Sequence, residues 1–271
     1  MAKLVWDATG NHLYETGIDH VVLYKAADTA TGGERNTGYL AGVAWNGCTG
    51  ITETPSGGEE TKLWADNIKY LSLRSAEDYG ATITAYTYPV EWEECDGSAT
   101  YDIPAAGTGT VAVPGIMSIS QQPRKGFCLA FRTLVGNDQK GSDFGYKIHI
   151  LYGCSTSPSE KANKTVNESP EANEFSWTIS TQPIEPNLTI GGKVIKPTAR
   201  IVLDVSQLTR LDQTSSTYST NMPKIKTIED YLFGRNADAT ANPAVEALNP
   251  SILYPSEIYS ILTTGSLPVS G

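Results

Sequence analysis

A period of two runs through the middle of this chain. Phe127, Leu129, Phe131, Thr133 and Val135 alternate with Cys128, Ala130, Arg132 and Leu134 until Gly136-Asn137-Asp138 breaks the run. Tyr146, Ile148, Ile150 and Tyr152 repeat it opposite Lys147 and His149. Phe175, Trp177 and Ile179 do so opposite Ser176, Thr178 and Ser180, and Ala199, Ile201, Leu203 and Val205 do so opposite Arg200 and Asp204. Residues 79–88 form another such segment, rich in Thr and Tyr. Successive side chains of a strand point to opposite faces, so the pattern predicts strands of a sheet buried on one side. The 25 Gly and 15 Pro cluster between these segments as turn signals. The expected fold class is mainly β: an antiparallel β-sandwich or partly open barrel over residues 1–210.

Helical signals are few. Pro89-Val90-Glu91-Trp92-Glu93-Glu94-Cys95 opens on proline, carries acids in its first turn and stops at Asp96-Gly97. Thr227-Ile228-Glu229-Asp230 resembles a capping box with Asp in place of Glu or Gln. Ile225, Ile228 and Leu232 form a narrow apolar stripe there, and Gly234 closes the helix. Pro255-Ser256-Glu257-Ile258 opens a last helix through Leu262. The Ser/Thr-rich stretch 213–221 reads as a linker, which divides the chain into a β domain (1–210), a linker (211–222) and a C-terminal arm of short helices (223–271). Residues 236–250 read as a second irregular connection. Helices of one or two turns cannot bury their stripes alone, so the arm must dock on the β domain or on a neighbouring subunit. Two loops stand out. Residues 45–67 read as a long projecting hairpin with its tip at Pro55-Ser56-Gly57-Gly58; residues 97–115 are small, apolar and nearly uncharged. Each is either a mobile surface loop or a contact arm that orders on assembly.

With 271 residues the chain can fill one large domain or two modest ones and build a full core. Only 18% of residues are charged, which argues against a solvated coil or a disordered acidic tail. Thirty acids against 20 bases give a net charge of -10, the wrong sign for gripping phosphates. No apolar run approaches the roughly 18 residues of a membrane helix. The start, Met1-Ala2-Lys3-Leu4-Val5-Trp6-Asp7, lacks the apolar segment of a signal peptide. Cys48, Cys95, Cys128 and Cys154 form no CxxC pattern and read as reduced, half-buried small apolar residues. The Asn-x-Ser/Thr triplets at Asn163, Asn167 and Asn187 mark polar chain.

Chemistry-bearing motifs are missing. There is no P-loop, GxGxxG, HExxH or GxSxG. His149 lies mid-strand, while His12 and His20 are too loosely spaced for a metal pair. Glu91, Glu93, Glu94 and Asp96 are the densest acids and read as a solvated helix start. No catalytic residue, metal site or cofactor is expected. Charge order is more telling. Residues 75–123 hold seven acids and no Lys or Arg; residues 124–147 hold five bases (Arg124, Lys125, Arg132, Lys140, Lys147) against Asp138 and Asp143. Either neighbouring strands pair these charges within one subunit, or the particle is polarised and suited to head-to-tail association.

Several blocks resemble the major tail proteins, the tail-tube proteins of long-tailed, non-contractile bacteriophages of Gram-positive hosts. They are Gly57-Gly58-Glu59-Glu60-Thr61-Lys62-Leu63-Trp64-Ala65-Asp66-Asn67-Ile68-Lys69-Tyr70-Leu71, Ala85-Tyr86-Thr87-Tyr88-Pro89 with Glu93-Glu94-Cys95-Asp96-Gly97, and Gln121-Gln122-Pro123-Arg124-Lys125. Tyr146-Lys147-Ile148-His149, Asn167-Glu168-Ser169-Pro170, Ile228-Glu229-Asp230-Tyr231-Leu232-Phe233-Gly234 and Tyr254-Pro255-Ser256-Glu257-Ile258 continue the likeness in order. The Ala/Gly-rich part of 97–115 looks like an insertion beyond the family pattern.

The resemblance implies a tail-tube β-sandwich with a short flanking helix. Hexameric rings would stack into a tube in the virion tail, assembled in the bacterial host cytoplasm. Its partners would be further copies of itself, a tape measure protein inside the tube, and tail terminator and distal tail proteins. Viral DNA would pass through without specific binding, with no enzymatic activity and no membrane. A polar or acidic wall lets DNA slide, and Glu53, Glu59, Glu60, Asp66, Glu77 and Asp78 are the candidate lumen-facing acids. Candidate inter-subunit or inter-ring contacts are Trp45, Pro55, Gly57, Gly58, Trp64, Arg124, Lys125, Ile228, Leu232 and Ile258. One alternative is a carbohydrate-binding β-sandwich, a virion decoration or host-recognition module using Trp6, Trp45, Trp64, Trp92 or Trp177 as stacking faces. A hydrolase with paired acids is another, with nothing in the sequence to place the pair.

Overall fold

A computed structural model describes residues 6–74, 77–108, 110–165, 172–240 and 245–268. The chain opens with β1 (Leu13–Lys25), β2 (Val43–Ala44), β3 (Cys48–Glu53), β4 (Ser56–Gly57), β5 (Glu60–Ala65), β6 (Ile68–Arg74), β7 (Glu77–Asp78) and β8 (Gly80–Ala85). Helix α1 (Trp92–Cys95) precedes β9 (Ser98–Ile103), β10 (Val113–Ser120), β11 (Phe127–Asn137), β12 (Gly141–Thr156) and β13 (Phe175–Thr181). Then come β14 (Thr189–Ile190), β15 (Lys193–Val194), β16 (Arg200–Asp204), α2 (Ser206–Thr209), α3 (Ser216–Phe233) and α4 (Pro255–Thr264).

The mainly β expectation holds. One large antiparallel sheet runs in the order β2-β1-β11-β12-β13-β8-β3, with β16 also on β12. Residues 45–47 alone separate its end strands in sequence, so the sheet curls until its ends approach at Trp45, whose N–H donates to the Val21 carbonyl at 2.8 Å. No continuous ladder closes it.

Strand β12 changes partner part-way. Lys147 to Leu151 pair with β16, and Cys154 to Thr156 pair with β13. Gly153 stands at the switch with φ +58. The register against β11 slips opposite it, between Phe127 and Leu129. This is a β-bulge with glycine in the left-handed region. The Gly153 carbonyl accepts from Gln182 N–H at 2.9 Å, and an added Cβ would stand 2.2 Å from the Gln182 oxygen.

The central strands are buried on both faces, not on one as the alternation suggested. Leu23, Phe127, Leu129, Phe131 and Leu151 pack on one side with Trp45, Trp92 and Trp177. The indole centroids lie 4.5 Å apart for Trp45 and Trp92, and 5.4 Å for Trp92 and Trp177. On the other side Tyr24, Cys128, Ile148, Ile150 and Tyr152 meet Ile225, Ile228 and Leu232 of α3 and Ile258 and Ile261 of α4. The small Cys128 and Ala130 on the second face let the helices sit close. Two fully buried tyrosine hydroxyls are satisfied: Tyr24 donates to the Leu232 carbonyl at 2.5 Å and Tyr152 to that of Leu253 at 2.7 Å. Cys95, Cys128 and Cys154 are free thiols, fully buried where half-burial was expected, and Cys48 is half-buried.

The C-terminal arm differs from the sequence reading. Residues 213–221 are not a linker throughout, because α3 begins at Ser216, capped by Ser215, whose hydroxyl accepts from Tyr218 N–H at 3.2 Å. Thr227 is no cap; its hydroxyl donates to the Pro223 carbonyl inside the helix at 3.0 Å. Proline 223 is tolerated within α3. Gly234 does end the helix. The arm docks on its own chain: Arg35 donates to Glu257 at 3.1 Å and to the Ile252 carbonyl at 2.9 Å. Ile228, Leu232 and Ile258 are therefore core residues, which removes them as inter-subunit contacts.

Candidate assembly surface

Strands β5 and β6 form a two-stranded ribbon that projects from the body. Its tip is Asp66-Asn67, with φ +51 and +62, as a two-residue hairpin turn of the primed type requires. The tip is thus not Pro55-Ser56-Gly57-Gly58; that segment forms the stem, where Ser56 pairs with Asp78 and Gly57 with Glu77. The register sets Leu63 opposite Leu71 and Thr61 opposite Leu73 on one face. Glu60 opposite Arg74 and Lys62 opposite Ser72 make the other face. A bulge after Leu63 brings Lys69 across to Glu60, at 2.6 Å. The ribbon is amphipathic, yet its apolar face lies in water: Leu71 is 47% and Leu73 50% exposed, and Trp64 near the tip is 67% exposed.

Strands β9 and β10 form a second ribbon, so the expected loop 97–115 is in part a ladder, which reaches Ser120. Tyr101 opposite Met117, Ala99 opposite Ile119 and Ile103 opposite Val113 share one face. Met117 is 48% and Ile119 51% exposed. Ser98 is buried, and Ser118 donates to Glu93 at 2.8 Å. The six large apolar side chains that define these faces (Leu63, Leu71, Leu73, Tyr101, Met117 and Ile119) escaped the sequence reading. Their signal was the alternation in Ile68-Lys69-Tyr70-Leu71-Ser72-Leu73 and in Ile116-Met117-Ser118-Ile119-Ser120.

Among the candidate acids, Glu53 is engaged internally, 2.9 Å from Arg200 and 3.6 Å from His149. Glu60 is held by Lys69. Glu59, Asp66, Glu77 and Asp78 are exposed along the ribbon and its stem. Among the candidate contacts, Trp45 is buried in the indole cluster and is withdrawn. Pro55, Gly57, Trp64 and Arg124 are exposed, and Gly58 is partly so. Lys125 is engaged within the chain, 2.9 Å from both Asp28 and Glu94. The block Asn167-Glu168-Ser169-Pro170 lies outside the described residues.

The charges pair in part inside the subunit, where Glu94 with Lys125 joins the acidic stretch to the basic one. Glu94 bridges Lys125 and Lys25, Asp96 meets Lys161 at 2.7 Å, Asp19 meets Arg132 at 2.9 Å, and Lys147 pairs with Glu15. Burial raises the Glu94 and Asp19 carboxyls, but the lysines and Arg132 outweigh it and hold both below the ordinary range. His149 is buried and stacked 4.6 Å from Phe131, with Nε2 2.9 Å from Thr133 Oγ1. Burial pushes its pKa down; Glu53 opposes and Arg200 adds to the shift. No group of three or more His, Cys, Asp or Glu among the described residues is placed to hold a metal. Among the described residues no helix is long and apolar enough to cross a membrane.

No protein-family model matches the chain, and no curated protein matches it. The functional reading rests on the surface itself. For the carbohydrate alternative, Trp45, Trp92 and Trp177 are lost to the core, leaving Trp6 and Trp64 exposed.

Proposed function

We propose that this chain is a structural subunit that polymerises with copies of itself into stacked, hexameric rings, forming the tube of a phage tail through which genomic DNA leaves. The observation that carries this reading is the pair of projecting ribbons with apolar faces in water. The largest apolar patch of an ordinary monomer is about 300–600 Å² and is itself often functional. Two separate amphipathic ribbons are surface made to be covered. The resemblance block 57–71 coincides with the first ribbon and its tip. An uncapped curled sheet adds edges that neighbouring copies can complete.

On this reading Glu59, Asp66, Glu77 and Asp78 supply acidic groups to a polar channel. DNA carries a charge about every 1.7 Å, so such a wall repels it through water and counterions and does not hold it. Tape measure, terminator and distal tail proteins would meet the tube at its lumen and ends. The test is sedimentation velocity of the purified chain over a wide concentration range. Growth from one small particle into a series of larger ones supports the reading; a monomer at every concentration refutes it.

A further inference from the structure

The first ribbon leaves the body at Thr54 and returns at Tyr79. Among the described residues, every hydrogen bond and ion pair of residues 55–78 stays within the ribbon and its stem. Its direction is therefore fixed at the root. There the Thr54 N–H donates to the Gly80 carbonyl at 2.8 Å, and the Thr181 hydroxyl donates to the Tyr79 carbonyl at 2.6 Å. One side chain of the body reaches both root strands. Arg200 of β16 places Nη2 2.9 Å from Oε2 of Glu53, the last residue of β3. Its guanidinium also lies 5.9 Å from the centre of the Tyr79 ring, within the about 6 Å at which a ring face attracts a cation. His149 of β12 stands behind the carboxylate, with Nδ1 3.6 Å from Glu53 and Nε2 2.9 Å from Thr133 Oγ1. The Glu53 side chain is 24% exposed and that of Arg200 35%, so water screens the pair only in part.

We propose that Arg200 is the positioning residue of the first ribbon: it clamps the outgoing strand through Glu53 and the returning strand through Tyr79, and so sets the angle at which the ribbon stands. A cleft of about 520 Å³ adjoins the clamp, with Glu77, Tyr79, Pro183, Lys196, Pro197 and Arg200 on its walls. Packing on that side is incomplete, so the root has room to swing when Arg200 lets go. A ribbon tied to the body only at its root opens locally at a free energy set by that root, well below the cost of unfolding the sheet. The clamp concerns how the ribbon is held and not what covers it. It goes beyond the assembly reading and stands apart from it, because a monomer needs the same clamp.

Hydrogen–deuterium exchange of the full chain, read peptide by peptide by mass spectrometry, tests the clamp. Arg200→Gln is expected to speed exchange of the root segments, residues 53–57 and 77–81, about tenfold, as the loss of one charged hydrogen bond from a local opening would. Exchange in β1 and β11 is expected to match the parent. Glu53→Gln breaks the same pair from the other side and is expected to speed the same two segments. Arg200→Lys returns a positive charge to Glu53 and is expected to recover protection at the root. An unchanged root in Arg200→Gln or in Glu53→Gln overturns the proposal. So does a rise spread evenly over β1 and β11, which would make Arg200 a support of the whole sheet, and so does an Arg200→Lys variant with no recovery. Should Arg200→Gln fail to fold, Glu53→Gln decides by the same two readings.

Discussion

His149 is packed against Phe131 and shares its surroundings with Thr133, Glu53, Arg200, Glu15 and Lys147. Its folded pKa lies below the roughly 6.5 of an unfolded histidine. The unfolded chain therefore binds more protons below that value, and stability is full above it and lost as pH falls through the folded pKa. The melting temperature is expected to fall as pH drops below about 6.5, and His149→Gln is expected to flatten that part of the curve. An unchanged slope in the variant would contradict the assignment. The limb further into acid, below about 4, belongs to carboxylates such as Asp19 and Glu94, whose lowered values protect the fold until they are protonated. Gly153 is a second residue-scale test. Gly153→Ala forces a left-handed alanine against the Gln182 carbonyl, and denaturant melts are expected to show a loss of about 2–4 kcal/mol. A neutral result would mean that the bulge has room to relax.

At the scale of elements, α3 and α4 act as a lid on one face of the sheet. Leu232→Ala is expected to cost about 2–5 kcal/mol, because the cavity opens among packed side chains. Leu71→Glu on the ribbon is expected to stay within about 0.5 kcal/mol of the parent in the same denaturant series. Equal losses at both sites would contradict the division between core and assembly surface. The strands β11, β12, β13 and β16 were legible because each carries its own period of two. What alternation could not convey is that small residues at Cys128 and Ala130 accept helices, making both faces core. The start of α3 was hidden because Ser216-Thr217-Tyr218-Ser219-Thr220-Asn221 has the composition of a linker and is held helical by its Ser215 cap and by the packing of the turns beyond it. The ribbon faces needed cross-strand register, which a turn at Asp66-Asn67 fixes and a guess at Pro55 to Gly58 cannot.

At the scale of the whole molecule, Lys25, Lys125, Arg132, Lys147 and Lys161 are paired with acids inside the subunit, and the chain as a whole carries a net charge of -10. Filter binding with duplex DNA at about 0.15 M salt is expected to show little retention by the assembled protein; tight retention would argue against a conduit. That the chain builds with copies of itself is the central claim, and negative-stain electron microscopy of the concentrated, purified protein tests it most directly. Rings or tubes with a central hollow are the predicted image, and a field of separate compact monomers at every concentration would contradict the account.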